Sequence, residues 1–240
     1  MTPERPKSFR FYHFCRELLL VHFRLFHGAK FIHHERVPKT GACLIVANHQ
    51  SFYDPPLVGC RIRHRALTFL ARASLFKSSL FGGLIARVNA IPIRDGEGDI
   101  RAIRDIIERL KKGEAVVIFP EGSRTFDGAM EPFRDGASLI IRKANCLVIP
   151  VAVEGAFDAW SRIEKKPKLG RRVMVMYGKP IPPEELDKNI NARIEREIDD
   201  MRLELRAELR RMTGGSYPSP GPADHSFGSS EADSSSTASG

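Results

Sequence analysis

A histidine and an aspartate five positions apart could act together as a general base. His49 and Asp54 lie in the segment NHQSFYDP, residues 48–55. On a continuous helix their side chains would point about 140° apart, so the pair requires a turn of the chain. In such a turn Asp54 would accept a hydrogen bond from one imidazole nitrogen of His49 and leave the other free to take up a proton. The alternative is that Asp54, followed by Pro55, only caps a helix and that His49 is an ordinary loop histidine.

A second polar loop, FPEGSRT at residues 119–125, contains groups that suit an anion. Glu121 and Arg124 flank Gly122 and Ser123. Because arginine forks onto phosphate and glycine lets a ligand approach the backbone, the loop is predicted as a phosphate or oxyanion cradle. The alternative is an ion pair between Glu121 and Arg124 that closes a turn. Ser123 is not in a GxSxG pattern, so a nucleophile elbow is not indicated.

Both loops directly follow apolar runs that are typical of strands buried on both faces. The predicted strands are Cys43–Ala47, Leu67–Leu70, Ala90–Ile93, Ala115–Phe119, Leu147–Val153 and Val173–Tyr177. Helices are predicted between them, at Leu57–Cys60, Leu75–Ala86, Asp99–Lys112 and Phe133–Ala144. This alternation predicts an α/β fold with a mostly parallel central sheet flanked by helices. In such sheets ligand sites lie beyond the carboxyl ends of the strands, where both polar loops are placed.

The amino-terminal segment, residues 1–34, is predicted to contain an amphipathic, membrane-associating helix. Its apolar residues recur at spacings of three and four, at Phe11, Phe14, Leu18, Val21 and Leu25. Aromatic rings with nearby arginine and lysine suit a helix lying in a membrane interface. Packing of this helix on the protein's own core explains the pattern equally well. The segment is too polar for a span, and no apolar run approaches the roughly 18–20 residues that a span needs.

The rest of the chain divides into three parts. Residues 35–182 contain both loops and are predicted as one domain. Residues 183–212 are predicted as a charged amphipathic helix with one apolar stripe, Ile190, Ile194, Ile198, Met201, Leu205, Leu209 and Met212. That stripe could form a dimer or, as we expect, pack against the parent domain. Residues 213–240 are rich in Ser, Gly and Pro and are predicted to be disordered.

The charge distribution indicates an anionic partner. The 240 residues carry 38 Lys+Arg and 29 Asp+Glu, a net charge of +9. Residues 1–212 hold all 38 basic side chains and 26 of the acidic ones, which gives this part a net charge of +12. Between Pro55 and Arg94 seven basic residues occur without an acidic one. Nucleic acid, acidic lipid or a phosphorylated substrate would match this charge, and a solvated basic surface is the alternative.

The four cysteines are scattered through the chain without a CxxC pair. We therefore expect reduced thiols in a cytosolic protein rather than a disulfide or zinc framework. The first residues carry two prolines and a glutamate, and no small-residue cleavage site follows them, so a signal peptide is not expected.

Taken together, the two loops resemble those of the glycerolipid acyltransferases, above all the 1-acylglycerol-3-phosphate (lysophosphatidic acid) acyltransferases. The similarity rests on NHQSFYDP, on FPEGSR and on VIPV at residues 148–151, and it extends over roughly residues 30–182. The family usually places an arginine after the end of an apolar strand, with one residue between the strand end and the arginine. Here Ile91-Pro92-Ile93 is followed at once by Arg94, which is the best match but lies one position early.

The resemblance implies transfer of a fatty acyl group from acyl-CoA or acyl carrier protein to lysophosphatidic acid, giving phosphatidic acid in phospholipid biosynthesis. His49 would be the general base, oriented by Asp54. The residues implied in binding the glycerol-phosphate acceptor are Arg94, Glu121, Gly122, Ser123 and Arg124. The resemblance implies no cofactor and no metal. It places the protein at the cytoplasmic face of a membrane, as a peripheral or monotopic protein whose partner is an anionic lipid surface and not nucleic acid.

Three other functions remain open. The acceptor could be another lysophospholipid. The same histidine and aspartate could activate water or Ser51 against a lipid ester or thioester, which would make the protein a hydrolase. The basic surface could also serve a protein without enzymatic activity that binds anionic membranes or nucleic acid.

Overall fold

A computed structural model describes residues 9–93, 100–218 and 220–227. Seven strands form one sheet with helices on both faces. The strands are β1 (Lys30–Ile32), β2 (Cys43–Ala47), β3 (Leu67–Arg72), β4 (Ala90–Ile93), β5 (Ala115–Ile118), β6 (Leu147–Glu154) and β7 (Met174–Tyr177). The helices are α1 (Phe9–His27), α2 (Asp54–Cys60), α3 (Ser79–Arg87), α4 (Ile100–Lys111), α5 (Asp135–Lys143), α6 (Ala156–Trp160) and α7 (Ile190–Met212). The predicted α/β class is confirmed.

The order of the strands brings the polar loops together. The sheet runs β1-β7-β6-β2-β5-β3-β4, and all neighbours are parallel except β6 and β7. Strand β2 lies between β6 and β5, and all five of its residues are buried. Because β6, β2 and β5 are parallel, the chain leaves all three at the same edge of the sheet. The segments after Ala47, Ile118 and Glu154 therefore meet there.

Alternate residues of β2 belong to two different cores. Cys43 and Ile45 pack in a core that includes side chains of α1 and α2. Leu44 and Val46 pack in a core that includes side chains of α4, α5 and α7. Apolar packing on both faces fixes the strand from which the first polar loop begins.

Helix α7 packs against the protein's own sheet. The apolar stripe from Ile190 to Leu209 is buried against β6 and β7. The helix begins at Ile190 rather than at residue 183, and a separate 3₁₀ turn, Pro183–Glu185, precedes it. The stripe therefore belongs to the core of this domain.

Several short elements differ from the prediction. Strand β1 and helix α6, which have three and five residues, were not predicted because neither is long enough to show a period. The region predicted as one helix from Leu75 contains a 3₁₀ helix, Ala73–Lys77, followed by α3. The predicted start of α4 at Asp99 lies outside the described residues.

The chain after α7 departs from the prediction of a disordered tail. Residues 213–218 and 220–227 are described and pack on the body of the protein. Tyr217 is buried, with its hydroxyl 2.6 Å from the carbonyl oxygen of Gly155. The carboxylate of Asp224 accepts hydrogen bonds from Arg206 and Arg210 of α7. Composition alone missed this packing because ion pairs and one tyrosine, rather than an apolar run, hold the segment.

Helix α1 has two apolar faces. Tyr12, Leu20 and Phe23 are buried against the domain. The predicted stripe lies largely on the opposite face, where four large side chains are exposed, namely Phe14, Leu18, Val21 and Leu25. Packing on the core therefore leaves a second apolar face of the helix uncovered. Among the helices of the described residues, none is long and apolar enough to cross a bilayer.

Candidate active site

His49 and Asp54 form the hydrogen-bonded pair that the sequence suggested. His49 Nδ1 lies 2.8 Å from Asp54 Oδ2. The Asp54 side chain has no exposed surface, whereas that of His49 is 18% exposed. The imidazole stacks on the ring of Phe119, with the ring centroids 4.3 Å apart. His49 Nε2 has no hydrogen-bond partner within the described ranges, so this nitrogen is left for a substrate.

The loop between the two residues folds around the carboxylate of Asp54. Oδ2 accepts hydrogen bonds from the backbone N–H groups of Gln50 and Ser51, each at 2.6 Å, as well as from His49. Asp54 is the first residue of α2, but its oxygen serves the loop before the helix. The Asp54 side chain therefore does not act as a simple helix cap, which was the alternative prediction. Three donors on one oxygen fix the direction in which His49 points.

Ser51 is held in a structural position. Its side chain is buried, and Oγ donates a hydrogen bond of 2.6 Å to the carbonyl oxygen of Trp160. The same oxygen accepts one from the backbone N–H of Tyr53. The hydroxyl proton is thus already committed to a carbonyl group, which leaves Ser51 poorly placed to act as a nucleophile.

Glu121 joins the two polar loops. One carboxylate oxygen accepts a hydrogen bond of 2.6 Å from the backbone N–H of His49. The other accepts a hydrogen bond of 3.0 Å from the backbone N–H of Glu131. A further bond from the Thr125 N–H to the His49 carbonyl closes the junction. Burial raises the pKa of Glu121 well above its ordinary value, although the backbone donors oppose this shift. Within the described part of the chain no ion pair joins Glu121 to Arg124, so the predicted alternative of a Glu–Arg clasp is absent.

Gly122 supplies a backbone conformation that residues with a side chain rarely adopt. Its φ is +71°, and a Cβ atom at this position would lie 2.6 Å from the side chain of Arg134. Its own N–H donates to the carbonyl oxygen of Phe119 and is therefore used within the turn. Ser123 beside it is half-buried. Gly122 thus shapes the loop and does not offer its N–H to a ligand.

Arg124 lies at the exposed rim of the site. Its guanidinium stacks on Phe52, a residue of the loop between His49 and Asp54, with Cζ 3.5 Å from the ring centroid. Nη1 is buried and has no hydrogen-bond partner among the residues that the structure describes. Burial and the charges of Arg162 and Arg72 lower the pKa of Arg124. Arg94, the other predicted phosphate ligand, lies outside the described residues.

A buried charged cluster behind the loop was missed by the sequence analysis. Glu154, at the end of β6, accepts hydrogen bonds from Gln50 at 3.1 Å and from Arg206 at 2.8 Å. Arg202 lies 3.7 Å from the same carboxylate, and all of these side chains are buried. The sequence did contain a signal for Glu154. This residue comes at the end of a buried apolar run, and His49 and Glu121 come shortly after the ends of two others. Arg162 had no such signal, since it falls in neither polar loop and does not directly follow a predicted strand.

Comparisons with known proteins place the chain in a family. Residues 29–154 match the family model described as "Acyltransferase", which is more than half of the chain. The chain belongs to the acyltransferase family. This match includes both polar loops and the three parallel strands that carry them.

Three of its relatives have related descriptions. A 1-acyl-sn-glycerol-3-phosphate acyltransferase from Bacillus subtilis is 27% identical over 71% of this chain and 82% of its own length. A lyso-ornithine lipid O-acyltransferase from Pseudomonas aeruginosa is 32% identical over 60% of this chain and 61% of its own length. The crystal structure of the LPA acyltransferase PlsC from Thermotoga maritima superposes with a TM-score of 0.62, at 26% identity, over 82% of this chain and 78% of that one.

Proposed function

We propose that this acyltransferase moves a fatty acyl group from an acyl thioester to the free hydroxyl of lysophosphatidic acid, giving phosphatidic acid. The observation that carries the proposal is the 2.8 Å hydrogen bond between His49 Nδ1 and Asp54, which leaves Nε2 available as a base. The names of the relatives from Bacillus subtilis and Thermotoga maritima support lysophosphatidic acid as the acceptor.

The reaction is a direct acyl transfer. The acceptor hydroxyl gives its proton to His49 Nε2 as its oxygen attacks the thioester carbonyl. The carbon–sulfur bond then breaks, and the departing sulfur takes up the proton from the imidazolium, which returns His49 to its neutral form. Asp54 holds the ring in the required tautomer and stabilises the imidazolium while it exists. Because the hydroxyl attacks the carbonyl itself, no acyl-enzyme is required.

The proposed acceptor site lies at the rim, where Arg124 binds the phosphate. Its half-buried guanidinium is held by Phe52 and keeps a buried N–H group without a protein partner, which suits a charge-assisted hydrogen bond to phosphate. We retain Arg94 and Ser123 as further proposed contacts of the acceptor. Glu121 and Gly122 shape the loop that presents these groups, because the Glu121 carboxylate and the Gly122 N–H are already hydrogen-bonded within the protein.

The acyl donor is proposed to be acyl-CoA or acyl carrier protein. Both are anionic, and the region from Pro55 to Arg94, which has basic but no acidic side chains, would attract either of them. Neither polar loop distinguishes between the two donors.

The exposed stripe of α1 is proposed to rest on the membrane that holds the acceptor. Phe14, Leu18, Val21 and Leu25 form a continuous apolar face that the domain does not cover, and Leu25 is 74% exposed. Arg10 and Arg24 on the same helix are exposed and would meet anionic lipid headgroups. The lysolipid and the enzyme would then share one surface.

Hydrolysis is less well supported than acyl transfer. A hydrolase that used Ser51 would need a free hydroxyl, but this one is buried and donates to the Trp160 carbonyl oxygen. Activation of water by His49 is the form of hydrolysis that the assay below must exclude.

A lyso-ornithine lipid is the second candidate acceptor, because the relative from Pseudomonas aeruginosa carries that name. Such a lipid has no phosphate group. The guanidinium of Arg124, whose buried Nη1 has no hydrogen-bond partner among the described residues, favours a phosphate-bearing acceptor instead.

The deciding experiment is an assay of the purified protein with each donor and with a panel of acceptors in mixed micelles. We expect phosphatidic acid to form from lysophosphatidic acid, with one thiol released for each molecule of product. The lyso-ornithine lipid and lysophosphatidylcholine should react much more slowly. Release of free fatty acid without acylated lipid would show a hydrolase, and preferential acylation of the lyso-ornithine lipid would overturn the choice of acceptor.

A further inference from the structure

The segment that follows α6 reaches the rim of the active site. Trp160, the last residue of α6, contacts the loop that carries His49, since its carbonyl oxygen accepts the Ser51 hydroxyl and its ring lies 4.8 Å from that of Phe52. Two residues later comes Arg162. This segment lies beyond residues 29–154, so the family match does not extend to it.

Arg162 is directed at Arg124 by contacts of its own. Arg162 Nη1 donates a hydrogen bond of 2.8 Å to the carbonyl oxygen of Arg124. The guanidinium also stacks on Phe126, with Cζ 3.8 Å from the ring centroid. That ring is 62% exposed, so the stack stands at the surface beside the loop. Each of the two arginines is therefore held flat on a phenylalanine, which leaves guanidinium edges to form hydrogen bonds.

Neither of the two positive charges is paired directly with a carboxylate of the described residues. Across residues 9–93, 100–218 and 220–227, neither Arg124 nor Arg162 forms an ion pair. Burial and then the charge of Arg162 lower the pKa of Arg124, and Arg72 acts in the same direction, whereas the carboxylate of Asp54 opposes this shift. Two neighbouring guanidinium groups repel each other, and a bound anion would relieve that repulsion. Arginine pairs of this kind match the oxygens of a phosphate group.

We propose that Arg162 and Arg124 together bind a phosphate group at the rim of the active site, and that Arg162 thereby sets the preference for phosphate-bearing substrates. For the acceptor headgroup this rests on the proposed function. The same chemistry would also serve the phosphates of an acyl-CoA or carrier-protein donor. Arg162 is in this view a specificity-determining residue, separate from the proton transfer at His49.

Two substitutions separate the charge of Arg162 from its structural contact. Arg162→Gln keeps an N–H donor but removes the charge. Arg162→Lys keeps the charge but removes the paired N–H donors of the planar guanidinium. Arg211→Gln on α7 is the matched control, because this arginine is exposed and pairs only with Glu208 among its described neighbours. We expect Arg162→Gln to raise KM for one phosphate-bearing substrate about tenfold with little change in kcat, and Arg162→Lys to restore part of the loss.

The two phosphate sources are distinguished by varying one substrate at a time. A raised KM for lysophosphatidic acid identifies the acceptor headgroup, and a raised KM for the thioester identifies the donor. An acceptor without a phosphate group, such as the lyso-ornithine lipid, should be unaffected in the first case. Unchanged KM values for both substrates in Arg162→Gln would overturn the proposal. So would a loss of activity that parallels a loss of binding to anionic vesicles, since the rim would then be a membrane contact.

A binding measurement keeps this test independent of the proposed function. Trp160 is the only tryptophan of the chain and lies beside the rim, so its fluorescence reports ligands there. Titration with glycerol 3-phosphate should change the fluorescence of the unaltered protein with an affinity that falls about tenfold in Arg162→Gln and not in Arg211→Gln. If the protein failed to acylate lysophosphatidic acid but showed this difference, the proposed function would fail and the phosphate site would stand. Equal affinities in all three proteins would refute the site.

Discussion

The His49–Asp54 pair and the rim that contains Arg124 and Arg162 are built in opposite ways. Asp54 has no exposed surface, and one of its oxygens accepts three hydrogen bonds of 2.8 Å or less. Arg124 is held mainly by a ring, Phe52, that is itself 42% exposed, and one of its N–H groups has no described partner. Proton transfer needs a fixed direction, whereas recognition needs charges that are still unsatisfied when the ligand arrives. Variants of the first region should therefore lower kcat, and variants of the second should raise KM.

The largest effect is expected for His49→Ala. Removal of the base should lower kcat by about 10²–10⁴-fold, because the acceptor hydroxyl then has no group to take its proton. Circular dichroism and the unfolding temperature should stay close to those of the unaltered protein, since the side chain is partly exposed. His225→Ala, in the tail, is the control. A folded His49→Ala protein with near-normal activity would exclude the mechanism.

Asp54→Asn tests the orientation of the base with almost the same shape. The amide oxygen can still accept the loop's backbone N–H groups, but it cannot stabilise a positively charged imidazole. We expect kcat to fall by about 10²-fold with KM for the acceptor nearly unchanged. A rise in KM with unchanged kcat would show that Asp54 acts in substrate binding, as Arg124 is proposed to do, and would contradict the contrast between the two regions.

The exposed face of α1 extends the comparison to the membrane. Leu18→Glu combined with Leu25→Glu should weaken binding to anionic vesicles about tenfold or more, because charges would replace two exposed leucines that are proposed to enter the lipid interface. Cosedimentation measures this change. Leu169→Glu, at another exposed leucine, is the control. Activity on acceptor in detergent micelles should fall less than activity on vesicles, and equal losses in both would show that α1 serves only the fold.

The smallest effect is expected for Glu121→Gln and concerns pH. Burial raises the pKa of Glu121, so the folded protein holds this proton at pH values where the unfolded chain has released it. The free energy of unfolding should therefore fall as pH rises above the ordinary glutamate range, and this fall should be shallower in Glu121→Gln. Chemical denaturation at pH 5 to 8 measures the two slopes. Glu208→Gln is the control, because Arg211 lowers the pKa of Glu208. Parallel slopes for Glu121→Gln and the unaltered protein would contradict the expectation.

Buried strands and the motif loops were predictable from the sequence. The six apolar runs recur as β2 to β7 with ends that shift by a residue or two, because continuous burial on both faces leaves a strong pattern. Strand β1 escaped because it is three residues long and pairs with β7 alone at the edge of the sheet. The packing of the described part of the tail was not predicted, because Asp224 and the arginines of α7 are too far apart in sequence to show a local pattern.

The site was predicted less completely than the sheet. His49 and Asp54 are where their spacing and the turn placed them. The carboxylate of Glu121 looked like a ligand group in sequence, but its oxygens accept backbone N–H groups from His49 and Glu131. The register between β2 and β5 brings the His49 donor to it, and the path of the chain after β5 brings the Glu131 donor, and neither is visible in one sequence. The position of Arg162 beside Arg124 depends on the path that the chain takes after α6, and no local sequence pattern specifies that path.

The ion pairs behind the loop of His49 and Asp54 bear on the order in which this region is completed during synthesis. Glu154, which accepts a hydrogen bond from Gln50, finds its partner Arg206 52 residues further along the chain. Arg206 in turn binds Asp224, in the segment after α7. The residues that match the family therefore leave the ribosome before the charges that complete their own loop. A nascent chain carries His49 and Asp54 early, yet the support behind them is assembled only after α7 and the segment that follows it have been synthesised.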